Sequence, residues 1–208
     1  MMRVLIADDH AIVRKGLRQI AEESEQMCVV EAADGQEALD KMQSDDWDVL
    51  VLDMNMPGRH GLDVLREVRV LRPGLPVLVL SGYPDDQYAL RVLRAGAAGY
   101  LNKDVAPEEL VKAILKIVAG GKYISQELAE HLVWEMSNQK DELPHKRLSD
   151  REYCVLIMIG QGKSIGQIAQ AMTLSVKTVS TYRTRTLEKM HFQSNADVIR
   201  YVFDHNLS

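Results

Sequence analysis

Short apolar runs alternate with longer amphipathic stretches over the first 120 residues of the chain. The runs are rich in Val, Leu and Ile and are bounded by Asp, Gly or Pro, a pattern typical of β-strands. Because they are almost continuously apolar, both faces of the sheet should be covered, as in a parallel sheet. They predict five strands, at Val4–Ala7, Cys28–Ala32, Val49–Leu52, Val77–Leu80 and Gly99–Leu101.

The stretches between these strands carry apolar residues at helical spacing, for example Leu110, Ile114 and Ile117. Five strands that alternate with five helices predict a doubly wound α/β domain with a five-stranded parallel sheet. The expected strand order is the flavodoxin-like 2-1-3-4-5, in which strands one and three are neighbours. We expect this domain to span residues 3–119.

A linker should follow this domain. Gly120-Gly121 ends the last helix of the α/β domain, and Ser125 can cap a further short helix that runs to about Met136. A polar stretch that ends at Pro144 comes next, which is typical of a connection between domains. The linker with its short helix is therefore placed at residues 120–143.

The remaining residues, 144–208, show a purely helical pattern. Ser164 and Ser175 stand where helix N-caps are expected, and Gly160 and Gly162 interrupt the pattern between two helices. Four helices are predicted, at Tyr153–Ile159, from Ser164 onward, at Val176–Met190 and at Ala196–His205. A small all-α domain of this size is typical of helix-turn-helix DNA-binding modules.

Composition narrows the class of protein. Apolar residues make up 46% and charged residues 26%, which is ordinary for a globular protein. The start of the chain does not resemble a signal peptide, and no apolar run approaches the ~20 residues of a membrane helix. Cys28 and Cys154 are too few for a disulfide framework, so we expect two buried or half-buried thiols in a reducing compartment. These features predict a cytoplasmic protein without a membrane partner.

Charge is unevenly distributed along the chain. From His145 onward there are nine Lys and Arg against five Asp and Glu, a net charge of +4. The residues before His145 carry a net charge of −9, which gives −5 for the whole chain. This asymmetry indicates different partners for the two parts.

Polar residues stand where the predicted strands end. Asp8 and Asp9 follow the first strand, Asp53 the third, Ser81 the fourth and Lys103 the fifth. Because the carboxyl ends of parallel strands share one edge, these side chains should converge at the switch point. Clustered carboxylates repel one another, and a hard cation such as Mg²⁺ offsets that repulsion.

The set resembles the receiver domain of response regulators over roughly residues 3–119, through Asp8-Asp9, Asp53-Met-Asn-Met-Pro-Gly58, Ser81-Gly82 and Lys103. The resemblance implies that a histidine kinase phosphorylates Asp53. It implies that Asp9, Asp53 and the carbonyl of Asn55 hold Mg²⁺, with help from Asp8 through water. It further implies that Ser81 binds the phosphoryl oxygens, that Lys103 balances their charge, and that Tyr100 turns inward as a switch.

A Mg²⁺-dependent phosphatase with an Asp nucleophile is the main enzymatic alternative. Haloacid-dehalogenase-like enzymes of that kind carry a second Asp two residues after the nucleophile, as general acid and base. Asn55 stands there and cannot transfer a proton. We therefore expect a phosphoacceptor that promotes its own phosphorylation and dephosphorylation, and not an enzyme in the usual sense. Tyr83, two residues after Ser81, is predicted to shield the phosphoryl group from water.

Residues 144–208 resemble the LuxR-type helix-turn-helix, and together with the receiver the chain resembles the NarL/FixJ class of transcriptional regulators. The resemblance is carried by Leu148-Ser-Asp-Arg-Glu152, Gly162-Lys-Ser164, Ile168-Ala169, Lys177-Thr-Val179 and Leu187-Glu-Lys-Met190. Two positions depart from the family pattern. Gly166 should lower helix stability by up to ~1 kcal/mol, and Thr186 replaces a buried aliphatic residue.

A helical wheel of Val176–Met190 separates an apolar face from a polar one. Lys and Arg on the polar face can read guanine edges, and Thr can contact a thymine methyl group. Arg183 lies nearer the apolar side and should contact a phosphate, as should Lys163 and Lys189. The predicted DNA-binding residues are Lys177, Thr178, Ser180, Thr181, Arg183, Thr184 and Arg185.

These observations predict a transcription factor that is controlled by phosphorylation. Its partners should be a histidine kinase, double-stranded DNA with paired half-sites, and a second copy of the chain once Asp53 is phosphorylated. Two alternatives stay open. One is a receiver that regulates DNA binding without phosphorylation, and the other is a receiver-like scaffold that mainly binds proteins.

Overall fold

The computed structural model describes residues 1–56, 58–82, 86–126, 128–130, 143–172, 174–205 and 207, with the side chains of residues 86–88 left aside. The chain divides into two compact units, Met1–Glu130 and His131–Ser208. Tyr83 and most of the predicted linker helix lie outside the described residues. The start of that helix is described, because Ser125 Oγ accepts a hydrogen bond from the backbone N–H of Leu128 at 3.1 Å.

The first unit is a doubly wound α/β fold with the predicted strand order, β2-β1-β3-β4-β5, and every strand pair is parallel. The strands are β1 Met2–Ala7, β2 Met27–Ala32, β3 Val49–Asp53, β4 Val77–Ser81 and β5 Gly99–Asn102. The helices are α1 Ala11–Glu22, α2 Gly35–Ser44, α3 Gly61–Leu71, α4 Asp86–Arg94 and α5 Ala106–Val118. The predicted fold class is confirmed.

Burial follows strand position in the sheet. Every residue of the central strands β3 and β4 is buried, because helices cover both faces of the sheet. The edge strand β2 is partly open, and its Cys28 is exposed. The prediction that both thiols are buried or half-buried is therefore wrong for Cys28, while Cys154 is buried as expected.

The second unit contains a 3₁₀ turn at Pro144–Arg147 followed by helices α6 Asp150–Gly160, α7 Ile165–Ala171, α8 Val176–Met190 and α9 Asn195–Asp204. The predicted N-caps Ser164 and Ser175 are both observed, whereas Ser149, which the sequence pattern did not identify as a cap, starts α6. Ser149 and Ser164 form capping boxes with Glu152 and Gln167, and the Ser175 side chain accepts from the backbone N–H of Thr178.

Helices α6 and α9 pack closely at Gly160. A Cβ added there would lie 2.4 Å from Cγ1 of Val202 and 2.7 Å from its Cβ. A side chain at this position would therefore push the two helices apart. Among the described residues, no helix is both long and apolar enough to cross a bilayer.

Candidate functional sites

Strand register brings the polar ends of the strands together. Ala7 pairs with Leu52, and Asp53 pairs with Leu80, so Asp8 and Asp53 lie side by side at the carboxyl edge of the sheet. On the next strand pair, Ser81 is opposite Asn102. Lys103 follows directly, and its backbone N–H donates to the Ser81 carbonyl at 2.9 Å.

The carboxylates form a compact cluster at this edge. Asp8 and Asp53 are fully buried and Asp9 is partly buried. One ligand atom from each of Asp8, Asp9, His10 and Asp53 lies within 4.8 Å of the others. The sequence pattern did not identify His10, whose imidazole is 62% exposed and lies 2.8 Å from Asp9 Oδ1.

Lys103 supplies the positive charge that faces this cluster. Its Nζ lies 2.8 Å from Oδ2 of Asp8 and 2.8 Å from Oδ2 of Asp53, while only 19% of its side chain is exposed. An ammonium between two buried carboxylates offsets part of their mutual repulsion. The predicted position of Lys103 beside Asp53 is thus the observed one.

Burial and charge act in opposite directions on these groups. Burial raises the pKa of Asp53 above its usual range, although Lys103 and a hydrogen bond from the Asn55 backbone N–H counteract it. Burial also lowers the pKa of Lys103, but the two carboxylates outweigh that effect and its pKa is raised. Lys103 therefore stays charged at neutral pH, where it favours the ionised form of Asp53.

The donor set suits a hard cation. Asp8 Oδ2, Asp9 Oδ1 and Asp53 Oδ2 are buried oxygens without a directional hydrogen bond from any described residue, and the close contacts of Asp8 and Asp53 are to the Lys103 ammonium, while Asp9 Oδ1 lies 2.8 Å from His10 Nδ1. Buried carboxylate oxygens of this kind are the ligands that Mg²⁺ prefers. The residues present therefore fit a magnesium ion.

The loop after β3 approaches the backbone of Asp53 at Gly61. A Cβ added to Gly61 would lie 2.5 Å from the Asp53 carbonyl oxygen and 2.6 Å from Cα of Met54. The Gly61 N–H also donates to the Met54 carbonyl at 3.1 Å, which fixes the contact. The hydrophobic pattern gave no signal for this residue, because its role is the absence of a side chain.

Tyr100 lies two positions before Asn102 on the edge strand β5, and its side chain is buried with 8% exposed. Ser81 is fully buried at the end of the neighbouring strand β4. The sequence predicted Ser81 at the end of the fourth strand and Tyr100 within the fifth, and the structure has them on these strands.

In the second unit, helix α8 presents a polar face to solvent. Val179, Leu187 and Met190 are buried, whereas the predicted base-reading residues lie on the open side. Thr178 and Arg183 are half-buried, and Arg183 Nε donates to Oδ1 of Asn195 at 2.6 Å. The exposed members of the predicted set are Lys177, Ser180, Thr181, Thr184 and Arg185.

Two residues of α8 make contacts that the sequence pattern did not reveal. Thr186 is fully buried, and its hydroxyl lies 3.2 Å from the Glu152 carbonyl and 2.9 Å from the Tyr182 carbonyl, so the polar group is satisfied. Lys189 Nζ lies 2.6 Å from Oε2 of Glu152, a carboxylate whose side chain is only 4% exposed. Lys189 thus neutralises a buried acid of its own domain, which weakens its prediction as a phosphate contact.

Family models match both units. Residues 4–115 match the response regulator receiver domain, and residues 146–202 match the bacterial regulatory proteins of the luxR family. Among curated relatives, the response regulator UvrY of Escherichia coli is 34% identical over all of this chain and 96% of its own length. The oxygen regulatory protein NreC of Staphylococcus epidermidis is 36% identical over 99% of both chains.

Solved structures agree with these relatives. A structure of the response regulator RcsB of Salmonella typhimurium superposes with a TM-score of 0.71 at 28% identity, over 98% of this chain and 97% of RcsB. RcsB bound to a promoter in the presence of the phosphomimetic BeF₃⁻ gives a TM-score of 0.66 at 28% identity, over 97% and 98% of the two chains. With a receiver fold, an acidic cluster and a LuxR-type helical unit in one chain, this protein belongs to the NarL/FixJ family of two-component response regulators.

Proposed function

We propose that the chain is a transcription factor in which phosphorylation of Asp53 controls DNA binding by α8. The observation that carries the proposal is the buried pair of Asp8 and Asp53, bridged by Lys103 at 2.8 Å to each carboxylate. Burying two like charges side by side is unfavourable for folding, so a pair of buried carboxylates is uncommon without a functional role.

The phosphoryl donor in this proposal is a phosphohistidine of a sensor kinase. An Asp53 carboxylate oxygen attacks phosphorus, the P–N bond breaks, and the leaving imidazole takes up a proton while an acyl phosphate forms on Asp53. Asp8, Asp9, Asp53 and the carbonyl of Asn55 would hold Mg²⁺. The ion would supply positive charge for the phosphoryl oxygens.

The chain's own residues complete the site. Lys103 already faces Asp53 and would pair with the incoming phosphoryl oxygens, while the Ser81 hydroxyl would hydrogen-bond them. Movement of Ser81 toward the phosphate would free space for Tyr100 to repack, which gives a local two-state element. We propose no turnover of an external substrate: the receiver promotes only the formation and hydrolysis of its own acyl phosphate.

DNA binding would use the open face of α8. Lys177 and Arg185 would contact bases, and the short hydroxyl side chains between them would allow a close approach to the major groove. The structure of the relative RcsB bound to a promoter supports DNA binding by this chain. Because helix-turn-helix modules read paired half-sites, we propose a homodimer as the DNA-binding form.

The test is DNA affinity on a selected operator, measured with and without a small-molecule phosphodonor and Mg²⁺. We expect tighter binding on phosphorylation for the wild type and no gain for Asp53→Asn. Asp40→Asn is the matched control, because Asp40 is an exposed carboxylate of α2 and its loss changes net charge equally. Equal affinity in every condition would instead favour a receiver that acts without phosphorylation.

The salt dependence of DNA affinity distinguishes a protein-binding scaffold from these two DNA-binding alternatives. Binding through phosphate contacts releases counterions, so affinity should fall steeply as salt rises. Absence of DNA binding at low salt would leave the scaffold as the better explanation.

A further inference from the structure

The outer edge of strand β5 is covered by the chain that follows α5. The strand β5 lies at the edge of the sheet, where unpaired backbone groups invite pairing. After α5, the chain reverses at Gly120, which has a φ of +86°, and returns alongside β5. Tyr123 then forms a parallel bridge with Gly99.

Three hydrogen bonds hold this returning segment. The Tyr100 N–H donates to the Tyr123 carbonyl at 2.9 Å, and the Tyr123 N–H donates to the Ala98 carbonyl at 3.1 Å. Lys122 Nζ donates to the Ala97 carbonyl at 2.8 Å. The segment is therefore attached to the backbone of Tyr100 and of the residues just before it.

The approach is so close that it depends on a missing side chain. A Cβ added to Gly99 would lie 2.9 Å from the Tyr123 carbonyl oxygen and 3.0 Å from Tyr123 Cβ. The same Cβ would lie 2.9 Å from Leu78 Cδ1, so a side chain at position 99 would have to displace both Leu78 and Tyr123.

The Tyr123 side chain attaches the same segment to helix α5. Its hydroxyl donates a hydrogen bond to the Glu109 carboxylate, and Lys116 Nζ lies 5.6 Å from the ring centroid. Burial and Glu109 raise the pKa of Tyr123 to about 12, so the phenol keeps its proton and remains a donor. Backbone and side chain together clamp Tyr123 between β5 and α5.

The residues after this clamp lead toward the second unit. Ser125, two residues beyond Tyr123, caps the helix that starts at Gln126, and its carbonyl accepts from the Ala129 N–H at 3.1 Å. The point at which the chain leaves the sheet is thus fixed directly beside Tyr100.

We propose that Tyr123 is a positioning residue that couples Tyr100 to the interdomain segment, so that repacking of Tyr100 on phosphorylation changes the hold on Tyr123. This inference rests on the proposed function, in which Tyr100 responds to phosphorylation of Asp53. A displacement of the β5 backbone cannot leave the bridge unchanged, because Tyr100 donates one of its hydrogen bonds.

The first experiment follows amide hydrogen exchange by NMR in the full chain with Mg²⁺, with and without beryllofluoride. The Asn55 N–H, which donates to Asp53 Oδ1 at 3.2 Å, reports on the acceptor site itself. We expect exchange at the Tyr100 and Tyr123 amides to change together, by about tenfold or more, as expected for the loss or gain of one hydrogen bond.

The outcomes separate the two proposals. A change at Asn55 without any change at Tyr123 overturns the coupling and leaves the phosphoacceptor proposal standing. No change at any of the three amides overturns the phosphoacceptor proposal, and the coupling falls with it.

The second experiment uses Tyr123→Phe, which removes only the hydroxyl bond to Glu109. We expect an unchanged rate of Asp53 phosphorylation and a loss of several-fold in the ratio of DNA affinities with and without phosphorylation. Lys112→Ala is the control. Lys112 also contacts Glu109, but its side chain is 70% exposed and it takes no part in the hydrogen bonds between Tyr123 and β5. A Tyr123→Phe variant with the full wild-type ratio would overturn the inference.

Discussion

Replacing Lys103 by Met removes the one charge that bridges the two buried carboxylates while keeping an apolar stem of similar length. At 2.8 Å and an effective dielectric constant of about 20, each pair contributes roughly 6 kcal/mol of gross attraction. Desolvation of the ions cancels most of it. Loss of one partner of a buried ion pair nevertheless costs about 3–5 kcal/mol, because the remaining charge is left uncompensated. We expect a loss of about 3 kcal/mol in the free energy of unfolding at pH 7.

The pH dependence of this loss has a definite sign. The pKa of Asp53 is raised in the folded state, so the folded chain binds its proton more tightly than the unfolded chain does. Ionisation of Asp53 therefore lowers the free energy of unfolding. This loss is absent below the unfolded pKa of about 3.9 and grows as pH rises toward the folded pKa. Without Lys103 the folded pKa rises further, and the difference between variant and wild type should shrink from pH 7 to pH 5.

Urea unfolding followed by far-UV circular dichroism, in EDTA and in Mg²⁺, measures this difference. Mg²⁺ should restore part of the lost stability in Lys103→Met, because the cation replaces the missing charge. Lys112→Met is the control, since Lys112 belongs to a solvent-exposed pair and should cost under about 1 kcal/mol. A Lys103→Met variant as stable as the wild type at pH 7 in EDTA would refute the reasoning.

Three further predictions concern the second unit. Gly160→Ala should destabilise it by about 1–3 kcal/mol, because the new methyl group overlaps Val202; urea unfolding with a change below ~0.5 kcal/mol would contradict this. Arg185→Ala should weaken operator binding by about 1–3 kcal/mol and non-specific binding much less, and equal losses on both DNAs would argue against base contact. Lys189→Gln should cost about 1 kcal/mol at pH 7. Burial would raise the pKa of Glu152, but hydrogen bonds from Lys189 and Ser149 outweigh it, and its folded pKa lies below the ordinary value of 4.5. The cost of Lys189→Gln should therefore begin to fall near pH 4.5 and vanish as pH falls through the folded pKa, and a pH-independent cost would refute the assignment.

The sequence pattern located all five strands of the described sheet, and three of the four strands that carry the site run one residue further than their apolar runs. The strands β3, β4 and β5 end at Asp53, Ser81 and Asn102, where the side chains become polar. Backbone pairing continues through a polar residue, whereas a hydrophobic pattern stops at it. This is why the pattern finds the edge of the sheet and also why the site residues stand there.

The hydrophobic pattern could not predict contacts between residues that are distant in sequence. In the sequence, Thr186 is a polar residue at a position where the family buries an aliphatic one. In the structure, its hydroxyl donates a hydrogen bond to the carbonyl of Glu152, 34 positions earlier. Lys189 reads as a solvent-exposed cation, yet it pairs with the carboxylate of the same Glu152. Helical periodicity orders residues within one helix and carries no information on which helix packs against them.

Gly61 bears on the design of variants that would imitate the proposed phosphorylation of Asp53. A Cβ at Gly61 would lie 2.5 Å from the Asp53 carbonyl oxygen, so the Gly61 backbone lies close to the main chain of position 53. A glutamate introduced there to imitate the phosphorylated residue must extend its extra methylene toward Lys103 and the opening of the site. Such a glutamate would place a carboxylate of single charge where the proposed phosphoryl group would stand.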